Sequence, residues 1–314
     1  MVELAAPEPR RTATARTRRS GGSLPWWRTR TAKGLGYAAP TAVFVAVFFL
    51  LPLLLVGRMS LSDWPLLAGD RGGNAPENYT DATDSNLFWP AVRFTLTYTG
   101  IVTVVLIGLA LLLALLVQES RPGAGFYRTV YFLPGALGLA SASLLFWGLY
   151  SPSTGPLTDL FAALGLGTPS FLGSPTAALM STVFLIVWKF AGFYMLILLV
   201  GLQRIPHEVY EAARIDGANR RQIFRTITLP LLRPSLALTL LLCVTGSLLA
   251  FDQFFILTKG GPDNSTVTIV QLIYREAFQK LNLGTAAALS IIVLTVLLLL
   301  NLLQFRGLRR ADES

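Results

Sequence analysis

One cysteine, one histidine and a low density of charge mark this 314-residue sequence, in which 14% of residues are Asp, Glu, Lys or Arg. Each shortage excludes something. Cys243 has no second cysteine to meet, so there is no intrachain disulfide and no cysteine-based metal site; inside an apolar run it reads as structural filler. His207 has neither a second histidine nor a cysteine near it, which leaves no imidazole-based metal centre or nucleophilic relay. No G-x-x-x-x-G-K-[ST] occurs, so nucleotide phosphates are not cradled by that loop, and any ATP must be handled by another chain. A membrane enzyme needs a cluster of acids, a histidine or a nucleophile with its base, and only isolated groups are present. Soluble chains carry charge on about a quarter of their residues. With 53% hydrophobic residues and a mean hydropathy of +0.57, this is a membrane protein.

A bilayer core about 30 Å thick takes roughly 20 apolar residues at 1.5 Å rise. Six runs meet or approach that length: 35–57, 94–117, 129–150, 177–202, 235–257 and 283–305. Their apolar residues are continuous rather than alternating, so they predict helices and not barrel strands. The expected fold is an all-α integral membrane protein with six transmembrane helices. Its domain spans 35–305, between a basic, disordered cytoplasmic tail at 1–34, rich in Arg, Thr, Pro, Ser and Gly, and a cytoplasmic C-terminal tail at 306–314. The tail is too long a lead, and the run behind it too long, for a secretion signal. It can instead lie against anionic lipid headgroups.

Basic residues set the orientation, because they resist translocation when close to a span. Eight precede the first run, two lie between the second and third, six between the fourth and fifth, and three follow the sixth, so 19 of the 26 fall on one side. Six fall on the other: Arg58, Arg71, Arg93, Lys259, Arg275 and Lys280, with Lys189 inside the fourth run. Both termini and the segment 203–234 are therefore expected in the cytoplasm.

That segment contains "IPHEVYEAARIDGANRRQIFRTITLPLLRP". Pro206 suits a first helical turn, Glu208 and Glu211 put negative charge near the positive end of a helix, and Gly217 accepts the left-handed conformation that commonly ends one. The spacing predicts a helix over 207–216, a glycine corner, and a second helix with Arg221 and Arg225 on one face. Ile223, Phe224 and Ile227 make an apolar strip, and Pro230 stops the helix before Pro234 opens the fifth span. A basic loop that fixes topology needs no such shape. A docking element for a soluble partner does.

Glu211-Ala212-Ala213, three residues, Gly217, nine residues, Ile227, one residue, and Leu229-Pro230 resembles the signature loop of the membrane subunits of binding-protein-dependent ABC importers. "TKGGPDNST" at 258–266, Tyr274 and "AALS" at 287–290 are similar to permeases of the maltose and glycerol-3-phosphate type, without the large inserted domain of some maltose-type subunits. The resemblance implies a carbohydrate importer in the inner membrane of a prokaryote. Its partners would be a second, related permease, a dimer of ATPase subunits and an extracytoplasmic sugar-binding protein. It also implies no cofactor on this chain, ATP and Mg belonging to the ATPase, and no nucleic acid. Glu211, Ala212, Ala213, Gly217, Ile227, Leu229 and Pro230 would then form the ATPase-coupling element, with Arg220, Arg221 and Arg225 able to meet acids on the ATPase.

Aromatic faces stack on sugar rings, and amide or carboxylate groups accept hydroxyl protons. On that chemistry the substrate-path candidates are Trp188, Lys189, Phe190, Tyr194, Phe251, Asp252, Gln253 and Phe254. Helix packing is the competing role for the aromatics. A structural ion pair is the competing role for Lys189 and Asp252, across a depth difference of about 10 Å. A gradient-driven secondary transporter or channel also accounts for six spans, but not for the shaped loop, and no pair of Gly- or Pro-broken spans is legible in the two halves.

The orientation is checked by thiol labelling in intact cells. Cysteine at position 85 or 170 should react with an impermeant reagent, and cysteine at position 20 should not; labelling at position 20 reverses the topology.

Overall fold

The computed structural model describes residues 30–118 and 123–312. The chain divides at Leu54 into two compact units. In the first, the described residues are helical from Arg30, ahead of the expected boundary at 34, and residues 1–29 of the predicted tail lie outside the described residues. The apolar part of this helix is Tyr37–Met59 (α1), in which a wide π turn at Ala46–Leu50 stands just before Pro52.

The second unit contains Glu77–Asp84 (α2), Phe88–Val117 (α3), Ala124–Phe132 (α4), Leu139–Leu149 (α5), Pro156–Ala163 (α6), Pro175–Gln203 (α7) and His207–Ile215 (α8). It continues with Arg220–Ile223 (α9), Arg233–Leu248 (α10), Asp252–Leu257 (α11), Ile269–Tyr274 (α12) and Leu283–Asp312 (α13). No strand occurs among the described residues, apart from isolated bridges at Ser62–Gly73 and Pro65–Asn282. Helix α13 continues through the residues expected as a C-terminal tail, as far as Asp312.

The centre of the unit is the packing of α3 on α7. Residues Ala91, Thr95, Tyr98, Val102, Leu106, Ala110 and Ala114 of α3 are buried. Their spacing of three and four puts them on one stripe, while Leu96, Val104, Leu112 and Leu116 are exposed on the other side. Both faces are apolar because lipid is as apolar as the interior, so the buried face differs chiefly by its small residues, which let backbones approach. Helix α7 also comes close to α4: a Cβ built on Gly192 would lie 1.9 Å from the carbonyl oxygen of Tyr131.

Two of the six expected spans are not continuous helices. The third, read as 129–150, is two pieces, Gly125–Ala136 and Leu139–Leu149, bent by 92°. Pro134, Gly135 and Gly138 lie at the bend, with Leu137 and Gly138 extended, so the helical ladder cannot be kept there. The fifth passes as one span by length and apolarity, but its helix breaks between Leu248 and Asp252, with Phe251 at φ −137° and ψ −65°. Only the third span is broken at Pro and Gly; the fifth breaks at residues 249–251, where neither stands, so both are interrupted without being the pair of Gly- or Pro-broken spans whose absence was expected. Carbonyls released at each break are covered by side chains. Lys189 of α7, 3% exposed, donates from Nζ to Gly135 O at 3.3 Å and to Leu137 O, and Nζ lies 4.9 Å from the Phe190 ring centroid. Thr268 donates its hydroxyl to Ala250 O at 2.7 Å. The segments beyond the two breaks, α5 and α11, pack on each other.

Outside the spans, buried Asn78 of α2 donates to Ser60 O at 3.1 Å and Ser62 O at 2.8 Å, tying α2 to the loop that follows α1. Asp70 in this loop accepts from the Gly72 amide and meets Arg58 at 2.7 Å, and both contacts hold its carboxyl below the usual range. The 258–266 loop is folded as well: Arg275 donates to Asn264 Oδ1 at 2.7 Å and Lys259 O at 3.1 Å across it.

If Lys189 closes the bend of the third span, Lys189→Met should leave the Gly135 and Leu137 carbonyls without this partner and lower stability by about 1 to 3 kcal/mol. The expected readout is a fall of several degrees in the Tm of the detergent-solubilised protein. A Tm equal to that of the unchanged protein removes this role from Lys189.

Candidate functional site

Two places concentrate the candidate residues: the loop between α7 and α10, and a cavity inside the bundle. The loop begins after Gln203. Pro206 stands one position ahead of the helix, at φ −58° and ψ 140°, rather than in its first turn. Helix α8 then runs His207–Ile215, with Glu208 in its first turn. It ends in a double closure: the Ala218 amide donates to Ala213 O at 2.9 Å and the Gly217 amide to Arg214 O at 3.1 Å. Gly217 has φ +79°, as the sequence pattern required.

The next turn is held by a pair the sequence reading missed. The Asn219 side chain accepts from the Gln222 amide at 3.0 Å, while the Gln222 side chain accepts from the Asn219 amide at 2.8 Å. The signal was present, since Asn followed three positions later by Gln is a capping box. Pro230 does not stop the second helix. A π turn at Phe224–Thr228, in which the Leu229 amide reaches back to Phe224 O, precedes it and gives its ring the room that an α turn denies. Helical geometry continues through Leu229–Leu231, and α10 starts at Arg233 with Pro234 in its first turn, as expected.

The loop is anchored from beneath and open on its far face. Tyr210 packs against the core with its hydroxyl 3.4 Å from Thr228 Oγ1, and Ala213, Thr228 and Leu232 are buried. Glu211 and Ala212 are exposed, as are Arg220, Arg221 and Arg225, while Ile215 is 86% exposed. Ile227, Leu229 and Pro230 are half-buried. His207 Nε2 lies 3.6 Å from Glu211 Oε1 on the exposed side of α8. The coupling candidates therefore occupy one compact element, but in two layers: Glu211 and Ala212 face out, and Ala213 faces the bundle.

The second place is a cavity of about 200 Å³ where the two broken spans meet, with Leu139 from one break and Leu249, Ala250 and Phe251 from the other in its wall. It brings together five of the eight path candidates: Phe190, Tyr194, Phe251, Asp252 and Gln253. Tyr98 and Ser247, which the sequence reading did not name, line it too. Gln253 is buried and donates from Nε2 to the Tyr98 hydroxyl at 3.1 Å, while its Oε1 is buried without a partner. The other three candidates lie elsewhere. Trp188 packs on Phe146 at 5.1 Å between centroids, and Phe254 is enclosed by Phe94 and Tyr98 at 5.0 and 4.9 Å. Lys189 does not reach Asp252, because its ammonium is drawn to the carbonyls of the bent span.

Over residues 31–311 the sequence matches the family described as binding-protein-dependent transport system inner membrane component. It is 33% identical over 274 residues to the trehalose/maltose transport system permease protein of Thermococcus litoralis, covering 86% of this chain and 91% of that one. It is also 33% identical over 274 residues to the sn-glycerol-3-phosphate transport system permease protein of Agrobacterium fabrum, covering 85% and 92%. Its fold is similar to that of a chain in a bacterial alginate ABC transporter solved in complex with an alginate pentasaccharide-bound periplasmic protein. That match has a TM-score of 0.80 and 25% identity, over 92% of this chain and 99% of the other.

The caps give the loop a testable rigidity. No atom lies within 4 Å of a Cβ built on Gly217, so Gly217→Val would be opposed by backbone strain alone, about 1 to 3 kcal/mol, and Asn219→Ala loses a cap worth about 1 kcal/mol. Amide exchange across 207–223 should quicken in both variants while exchange in α3 and α7 stays as it was. Unchanged exchange in the loop means that something other than these caps holds it.

Proposed function

The chain belongs to the binding-protein-dependent transport system inner membrane component family, and from that premise we propose how its two sites divide the work of import. It is a multi-pass membrane subunit of an ATP-binding-cassette importer, a transport component rather than an enzyme. The proposed cargo is a carbohydrate. The cavity at the two helix breaks would be this chain's share of the path, and the 207–230 loop the element through which a separate ATPase drives it. ATP and Mg would be held by that ATPase. A second, related permease would complete the path, and an extracytoplasmic binding protein would deliver the sugar. The lopsided basic residues support a reading in which the loop and both termini lie in the cytoplasm.

One observation carries the coupling. The loop is joined at both ends to helices that enter the cavity wall. Helix α7 contributes Phe190 and Tyr194 and ends at Gln203, where the loop begins; α10 begins at Arg233, where it ends, and contributes Ser247. At 1.5 Å per residue these connections are roughly 14 Å and 21 Å of continuous helix. A displacement of the loop by a docked ATPase is thus delivered to the cavity by two rigid rods. The outer layer of the loop, with Glu211 and the exposed arginines, supplies charge to a partner, and Tyr210 and Ala213 keep it seated on the bundle.

The sugar assignment is supported by the aromatic and hydrogen-bonding lining of the cavity and by the trehalose/maltose system of one relative. Deleting the chain in its host should abolish ATP-dependent uptake of one carbohydrate while ion gradients stay intact. Glu211→Ala should insert normally but lower that uptake by tenfold or so, the consequence of a lost charged contact at the docked face. Uptake that survives inactivation of the ATPase and collapses with the proton gradient supports a gradient-driven transporter instead.

A further inference from the structure

We infer that the carbohydrate accepted by the cavity is uncharged, with sugar acids and sugar phosphates rejected. This rests on the reading of the cavity as the substrate path. The relatives leave the matter open, since one is named for trehalose and maltose, another for glycerol 3-phosphate, and the solved transporter for alginate.

The charge balance of the cavity decides between them. An anion leaving water for a low-dielectric site needs a cation or several aimed N–H groups to compensate its lost hydration. Among the described residues no Lys or Arg lines the cavity, and the one carboxylate in its lining is Asp252, which repels an anion. Lys189 is adjacent in sequence to the lining residue Phe190, but its buried ammonium is occupied by Gly135 O and Leu137 O. Arg93, five residues before Tyr98 on α3, opens into a separate groove with Trp89 and Phe94. Phe254 closes against both Phe94 and Tyr98 between the two.

Hydrogen bonding leads to the same answer. The Gln253 amide gives one of its two N–H groups to Tyr98, and the atom left with no partner at all is its buried Oε1, an acceptor, close in sequence to the carboxylate of Asp252. The ionised group of a sugar phosphate or sugar acid brings no hydrogen to give to either, so only its hydroxyls can pair with them. A neutral polyol brings several, and its C–H faces fit the rings of Phe190, Tyr194 and Phe251. The Tyr98 hydroxyl, accepting from Gln253, retains its own proton for a ring or glycosidic oxygen.

The test is uptake of a labelled panel in the host with and without this chain: trehalose and maltose as uncharged probes, sn-glycerol 3-phosphate and alginate oligosaccharide as anionic ones. Uptake of an uncharged probe should fall at least tenfold on deletion, with both anionic probes unaffected. For the transported sugar, Gln253→Leu should raise the KM about tenfold with little change in maximal rate, and Gln253→Glu should recover most of the loss by restoring an acceptor. Loss of glycerol phosphate or alginate uptake overturns the inference and leaves carbohydrate import standing. No loss with any probe overturns the inference for these uncharged sugars while leaving the chain's place in the importer family untouched. An unchanged KM in Gln253→Leu, together with an unchanged KM in Asp252→Asn, shows that the cavity does not select the cargo.

Discussion

A bilayer offers no water to a carbonyl group that has lost its helix, so every interruption of a membrane helix must be closed from within the protein. The main features of the second unit follow from two such interruptions. At the third span the closure is a cation, Lys189, and at the fifth it is a hydroxyl, Thr268. Each reaches across from a different part of the chain, so the breaks do not exist as local features; they are stable only when α7 and the segment before α12 are in place. The cavity is the space left where two helices turn away from their own axes, and its polar groups are available because the backbone near them has already been satisfied by others.

Close packing and open space are balanced on the same helices. Gly192 lets α7 approach the Tyr131 carbonyl closely, and the small residues of α3 do the same along their stripe. Within the same pair of helices, Tyr98 and Tyr194 face a void of about 200 Å³. A bundle packed tightly through small side chains is stiff, and the proposed coupling of the loop to aromatic residues farther along α7 and α10 depends on that stiffness. The π turn before Pro230 preserves this stiffness, since a helix broken there would separate the loop from α10.

Buried charge tells against a simple reading of membrane ionisable residues. Lys189 is the one basic residue inside the six apolar runs of the sequence, and such a residue is a functional candidate by default. Here its charge is consumed in holding a bend, which leaves the neighbouring cavity without a cation and defines its chemistry by that lack. Broken spans that meet at a cavity are also a feature of gradient-driven transporters. Family membership, rather than the continuity of the helices, is what separates the two classes for this chain.

Six apolar runs, the helix at 207–215 and the glycine corner at Gly217 were legible in the sequence because each depends on chemistry within a few residues: continuity of apolar side chains, a charge at a helix start, a residue free to adopt positive φ. The capping box at Asn219 and Gln222 was equally local and was there to be read. Pro230 was not, since whether a proline ends a helix depends on the width of the turn before it. The bend at 134–138 carried its own signal in Pro134, Gly135 and Gly138, whereas the break at 249–251 has no Gly or Pro to mark it; the partners that close them, Lys189 and Thr268, lie 52 and 18 residues away along the chain. Which aromatic residues face the cavity was beyond the sequence for a related reason. In lipid a helix is apolar on every side, so no amphipathic stripe marks the inward face; Phe190 and Tyr194 line the cavity while Trp188 and Phe254 pack, and only the neighbouring helices make that choice.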